Sequence, residues 1–244
     1  MEKKMPSLKK TFESSIVIIS LIIIIFNIFI YVAINEKKTN EEEVISFLMQ
    51  DPANLENVLS KINSLKEDNN NKKIYTYYDE IKNNPEFFLG NKNGETIIIE
   101  FFDYNCGYCK RSFPELMELI SDNKDIKVIL KELPVLGESS ILASKASIAS
   151  LKQDKYFVMH QELINFSGQI TINDIINISK KVGINYEQLK TDMNKDETIL
   201  LIKENYRLAD LIGVRGTPAF IINKELIPGA IGKEDMIEIL KNGK

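Results

Sequence analysis

The sequence predicts an α/β fold: a small mixed sheet with helices on it, carrying a long helical insertion and preceded by a transmembrane helix and a short helical arm. Three observations predict it. Strand-like apolar runs at Thr96–Phe102 and Ile126–Leu130 flank a helical pattern, and two further short strands return near the end of the chain. Close to the amino terminus, Ile16 to Ile34 runs without a single charged residue. Both cysteines of the chain, Cys106 and Cys109, lie at the first strand–helix junction.

Composition narrows the function. A chain of 244 residues with a 44% apolar content can hold one large domain or one ordinary domain with attachments. Its formal net charge of −4 argues against nucleic-acid binding, which needs a basic face. Two cysteines in one motif leave none for a structural disulfide framework. A zinc or iron–sulfur site needs about four ligands. The single histidine, His160, lies far along the chain in a helical pattern and reads as a partly buried structural residue. No metal site is expected, and no cofactor beyond the cysteine pair itself.

Taken in order, residues 1–15 carry Lys3, Lys4, Lys9 and Lys10 and read as a cytoplasmic tail. Residues 16–34, interrupted only by Ser20 and Asn27 among polar residues of that run, come close to the roughly 20 residues that span a bilayer. The run is longer than a signal-peptide core, and Tyr31-Val32-Ala33 is a poor cleavage site. An uncleaved signal anchor is therefore the favoured reading, with signal cleavage as the alternative. Either places the remainder outside the cytoplasm, where cysteines can be oxidised.

Residues 35–84 read as a helical arm in three pieces. Glu41-Glu42-Glu43 suits a first turn, Asp51-Pro52 suits a cap and first-turn proline, and Asp68-Asn69-Asn70-Asn71 reads as a polar loop. Leu55, Val58, Leu59, Ile62 and Leu65 make an apolar stripe that something must cover. The arm is either a spacer or an element of homo-oligomerisation.

Residues 85–244 form the main domain. The strand Thr96–Phe102 is apolar on both faces except for Glu100, which reads as a buried acid beneath the motif. Such an acid has a raised pKa and can accept the proton of an activated thiol. Cys106 stands where the following helix begins, so the free N–H groups and dipole favour its thiolate. It is the attacking thiol, and Cys109, one turn on, the resolving one. Pro114 is expected to kink this helix. Residues 136–211 form a helical insertion, with candidate helices at Ile141–Leu151, Asp154–Phe166, Ile172–Val182, Glu187–Met193 and Asp196–Leu211. A hairpin at 219–230 and a helix over Lys233–Leu240 close the chain. Before the hairpin, Thr217-Pro218 is either a simple strand start or a cis bond that sets the Thr217 backbone beside Cys106.

The segments FFDYNCGYCKR, GVRGTPAFIIN and LIPGAI resemble the thioredoxin-fold thiol oxidoreductases of the DsbA family, over about residues 84–244. The arm EEEVISFLMQDPANLENVLSKI is similar to the amino-terminal region of the ScsC/Com1-like branch. The resemblance implies a thioredoxin-like fold, Cys106 as nucleophile, Cys109 as resolving thiol, Glu100 as the buried acid and Pro218 as the facing cis-proline. Gly107-Tyr108 stands where the strongly oxidising prototype has Pro-His. With Thr217, these two residues form the substrate-binding surface and resemble the isomerase type instead.

The expected function is thus disulfide formation or exchange in secreted and envelope proteins through a redox-active Cys106–Cys109 disulfide. The expected setting is the bacterial inner membrane, with the protein single-pass, its catalytic domain in the periplasm, and a membrane redox partner restoring it. Three alternatives remain: an isomerase or reductase that depends on oligomerisation through the arm, a dithiol Cu(I) or zinc carrier, and a tethered structural adaptor.

Overall fold

In the computed structural model the described residues are 23–31, 41–83 and 86–243. The chain divides into two compact units, residues 1–64 and 65–244. In the first unit, residues 23–31 and 41–50 are helical, followed by the start of α1 (Pro52–Ile81). Asp51 caps α1, its Oδ1 accepting from the Ala53 N–H at 2.9 Å.

The transmembrane expectation is overturned here. Among the described residues no helix is long and apolar enough to cross a membrane. The helical stretch 23–31 spans about 14 Å at 1.5 Å per residue, against about 30 Å of hydrocarbon. The rest of the expected span, residues 16–22 and 32–34, lies outside the described residues. With the span go the membrane as a partner, the membrane redox partner, and the single-pass inner-membrane location.

A second correction concerns the arm. The polar run Asp68–Asn71 is no loop but part of α1, one continuous helix of 30 residues. Asparagine lowers helix propensity only mildly, and neither glycine nor proline follows Pro52 before the helix ends. Tertiary packing supplies the remainder. Ile74 and Ile81 are fully buried against Ile99, Phe101, Ile129 and Ile221 in the second unit.

The second unit is built on a five-stranded sheet in the order β1-β3-β2-β4-β5. The strands are β1 (Phe88–Gly90), β2 (Thr96–Phe102), β3 (Ile126–Glu132), β4 (Ala219–Ile222) and β5 (Glu225–Pro228). β2 and β3 run parallel and β4 and β5 antiparallel, as the strand–helix–strand and hairpin patterns predict, and the pairings β1–β3 and β2–β4 are antiparallel too. β1 escapes the sequence reading. Three residues are too few to show alternation, and Gly90, at φ +83°, ends them.

α2 (Gly107–Asp122) follows β2 directly and runs through Pro114 without ending. The insertion comprises α3 (Glu138–Ser150), α4 (Tyr156–Ile164), α5 (Ile172–Val182), α6 (Tyr186–Met193) and α7 (Asp196–Ile212), and α8 (Lys233–Asn242) comes last. Small residues set the close packing of α3, where Ala143, Ser144, Ala146, Ser147 and Ala149 are all buried. One sheet face carries Ile98, Phe102, Val128 and Leu130 into the larger core, with Leu116 and Leu119 of α2. The other face buries Ile99, Phe101 and Ile129 under the end of α1 and Leu208 and Ile212 of α7. The first cysteine therefore stands at the carboxyl end of a central, doubly covered strand.

Candidate active site

The site begins with the four residues that join β2 to α2. Cys106 is the N-cap of α2, at φ −75° and ψ 113°, and its sulfur accepts from the Cys109 N–H at 3.4 Å. A cap is usually an oxygen; a thiolate at this position gains the same unpaired N–H groups and the positive end of the helix. The Cys106 thiol is held down at a pKa of about 5. The Cys109 thiol contributes most, and a hydrogen bond with Thr217 and the N–H groups of Cys109 and Tyr108 add to it against the opposing effect of burial. Cys109 is 1% exposed, and burial pushes its thiol far above the ordinary range. Both cysteines are free thiols in this structure. The two thiols thus stand in unequal environments, Cys106 favoured as thiolate and Cys109 protonated and shielded.

Glu100 lies on the sheet face beneath α2, 4% exposed. Its neighbours across the sheet are Leu130 and Phe220, so no opposite charge sits beside it in the register. Burial, reinforced by the charge of Cys106, raises its carboxyl to about 8. It also acts on Cys109, whose thiol its charge raises further.

The facing wall is the loop before β4. The Thr217–Pro218 bond is cis, and the Thr217 carbonyl lies 3.1 Å from Cys106 Sγ. Pro218 is buried, and its own carbonyl accepts from the Gly229 N–H at 2.9 Å, tying the loop to the end of β5. Of the two residues between the cysteines, Gly107 is exposed, and Tyr108 stands 61% exposed with the Arg111 guanidinium 4.3 Å over its ring. The structure thus brings together Glu100, Cys106, Cys109, Thr217 and Pro218, and sets Gly107 and Tyr108 at the surface. His160 is not among them. It is 2% exposed on α4, ringed by Phe102, Tyr104, Phe113 and Tyr156, with Nδ1 2.9 Å from the Tyr104 hydroxyl. Burial holds it neutral, at a pKa of about 3.

The sequence reading misses Asp103. Fully buried, it accepts from the Asn105 N–H and the Ser140 hydroxyl at 2.7 Å each, and from the Leu136 N–H at 2.9 Å. Its backbone carbonyl accepts from the Cys106 N–H at 3.0 Å. One carboxylate so joins the Cys106 loop to the β3–α3 connection and the first turn of α3, a contact between segments more than thirty residues apart. The only local signal was an acid three residues before the first cysteine.

A thioredoxin-type sheet, a Cys-x-x-Cys pair capping its helix and a cis-proline opposite define a protein of the thioredoxin fold equipped for dithiol chemistry. The DSBA-like thioredoxin domain matches residues 97–241, and the chain belongs to that family. Among solved structures, a thioredoxin-like oxidoreductase from Silicibacter pomeroyi DSS-3 is 33% identical with a TM-score of 0.65, covering 67% of this chain and 95% of that one. The thiol-disulfide exchange protein alpha-DsbA2 from Wolbachia pipientis is 29% identical, with a TM-score of 0.68, covering 74% and 98%. A linker-deletion mutant of Proteus mirabilis ScsC is 26% identical, with a TM-score of 0.70, covering 85% and 94%. The curated relatives include the Na(+)/H(+) antiporter NhaA 1 of Salinispora arenicola, 24% identical over 55% of this chain. The chain spans only 21% of that relative's length.

Proposed function

We propose that the protein is a thiol–disulfide oxidoreductase acting on cysteine-containing proteins through Cys106 and Cys109. The observation that carries this reading is the asymmetry of the pair: Cys106 caps α2 as a low-pKa thiol, while Cys109 is buried and protonated. In the oxidising direction, a substrate thiolate attacks Cys106 of the Cys106–Cys109 disulfide, and Cys109 leaves as a thiolate that takes up a proton. A second substrate thiolate then attacks the substrate sulfur of the mixed disulfide and expels Cys106 as thiolate. The substrate gains one disulfide and the enzyme becomes a dithiol, so an external disulfide must reoxidise it. Glu100 is the proton carrier in this scheme: its buried carboxyl exchanges the Cys109 proton. Thr217 and Pro218 face the reacting sulfurs, and Gly107 and Tyr108 meet the substrate.

The low Cys106 pKa favours the reduced enzyme and hence the oxidase direction. A value of about 5 falls between the thioredoxin and DsbA types. The ScsC-like branch is the finer assignment. Its support is the likeness to ScsC over 85% of this chain, which reaches into the arm, residues 35–84, ahead of the catalytic domain, residues 85–244. On this reading the arm is a self-association element.

Full-length Cys109→Ser protein tests the function: it accumulates mixed disulfides at Cys106 with reduced insulin activated as an aromatic disulfide, and Cys106→Ser does not. Equal trapping in the two variants refutes the assignment of the nucleophile. Glutathione equilibration then gives the potential, and refolding of scrambled ribonuclease separates isomerase from oxidase.

A further inference from the structure

Beside the Thr217–Pro218 loop lies a cleft of about 650 Å³ that a bare thioredoxin-type unit would leave open on one side. One wall is the cis-proline loop and β5. The other is the carboxyl-terminal half of α1, through Glu67, Asn70 and Asn71. All of these residues belong to the second unit. The two walls meet at Gly213, where φ is +83° and any Cβ would collide with the Asn70 side chain, so glycine there permits the close approach of helix to loop.

The charges lining this cleft are unequal. Glu67 on α1 and Glu225 on β5 are exposed carboxylates without an ion-pair partner among the described residues. The one cation of the lining, Arg215, is already held by Asp210 at 3.0 Å. The lining also includes apolar side chains, Leu226, Ile227 and Pro228, and β5 is the edge of the sheet, with main-chain groups free to pair with an extended chain. Thr217, whose carbonyl touches Cys106, also lines the cleft, so a chain lying in it continues directly to the reacting sulfur.

We infer that this cleft seats the extended stretch of a substrate polypeptide next to its cysteine, and that Glu67 and Glu225 make it prefer basic over acidic residues there. The inference depends on the thiol-exchange reading above and adds what that reading lacks: a subsite, half of it supplied by the arm helix, that selects by charge. The whole chain's net charge of −4 would favour basic partners weakly and from any direction. The two carboxylates act at one place.

The test uses full-length Cys109→Ser protein and two short peptides with one cysteine each, carried as a mixed disulfide with thionitrobenzoate. Lysines flank the cysteine in one peptide and glutamates in the other. Cys106 thiolate attacks the peptide sulfur, the Cys106–peptide disulfide forms, and coloured thionitrobenzoate leaves as the thiolate. At low salt the lysine peptide reacts roughly five- to tenfold faster, the scale of exposed ion pairs that attract one peptide and repel the other. The ratio falls towards one at high salt and in the Glu67→Gln/Glu225→Gln variant. It keeps its wild-type value when the same two charges are removed elsewhere, by Glu187→Gln with Glu234→Gln. A ratio near one in the parent, or an equal fall in both double variants, overturns the inference while leaving thiol exchange standing. A ratio that rises on dilution, as a second copy vacates the cleft, overturns it too. If neither peptide releases thionitrobenzoate, the thiol-exchange reading itself fails.

Discussion

Glutamine at position 100 should make the reduced protein more stable and less sensitive to alkali. Glu100 has no cation beside it in the sheet and sits 4% exposed, so folding favours its neutral form and raises its pKa from 4.5 to about 8. A raised carboxyl contributes fully below its unfolded pKa, and that contribution is lost as pH climbs towards the folded value. At about 1.4 kcal/mol per pH unit, the Glu100 contribution falls by about 3 kcal/mol between pH 4.5 and pH 7, and by about 5 kcal/mol once past pH 8. Glu100→Gln keeps the shape and cannot ionise, so this contribution is absent from its curve, while those of Cys106 and Glu132 remain in both proteins and cancel in the difference. Urea denaturation of both reduced proteins, from about pH 5 to about pH 9, measures the difference directly. Parallel stability–pH curves for wild type and variant would refute the buried-acid argument. The same variant should slow resolution of mixed disulfides while leaving the iodoacetamide reaction of Cys106 rapid, since Glu100 handles the proton of Cys109.

Other consequences are as direct. Alkylation of reduced protein by iodoacetamide should occur at Cys106 alone with a midpoint near pH 5, and a midpoint above about pH 7 would contradict the capping geometry. The ring signals of His160, the only histidine, should show no titration by NMR from about pH 8 down to about pH 4.5, because its folded pKa of about 3 lies below its ordinary 6.5. Its contribution is present above pH 6.5 and is lost as pH falls from there towards about 3, so a midpoint near 6.5 would show an exposed ring. Gly213→Ala should cost about 1–3 kcal/mol by thermal or urea unfolding, from its positive φ and its collision with Asn70. Adding Asn70→Ala should recover only part, since the collision goes and the backbone strain stays.

What could be read from the sequence had a local cause. Cys106, Cys109 and Pro218 announce themselves by residue type and by spacing from a strand or helix start. Glu100 does so because an acid within an apolar run must be buried or at an edge. The parallel pair β2–β3 and the β4–β5 hairpin follow from the lengths and residues of their connections. Asp68–Asn71 misled, because polar residues mimic a loop when nothing in the sequence shows what their helix packs against. β1 was too short to carry a pattern. The uncharged run at 16–34 gave a membrane reading that the described helices do not bear out.

The sequence by itself determined the chemistry: two thiols one helical turn apart, a proline-led strand to face them and a carboxyl below, each defined by side-chain type and periodicity. Only the tertiary structure decided how far those thiols differ. Burial and hydrogen bonding come from distant segments, so the size of the Cys106 and Glu100 shifts, the contact of Cys106 with Thr217 and the hold of Asp103 on Ser140 and Leu136 appear only when the loops meet. The acidic cleft beside Thr217 is of the same kind, because Glu67 and Glu225 are far apart in the chain and become one surface through the packing of α1 on the sheet.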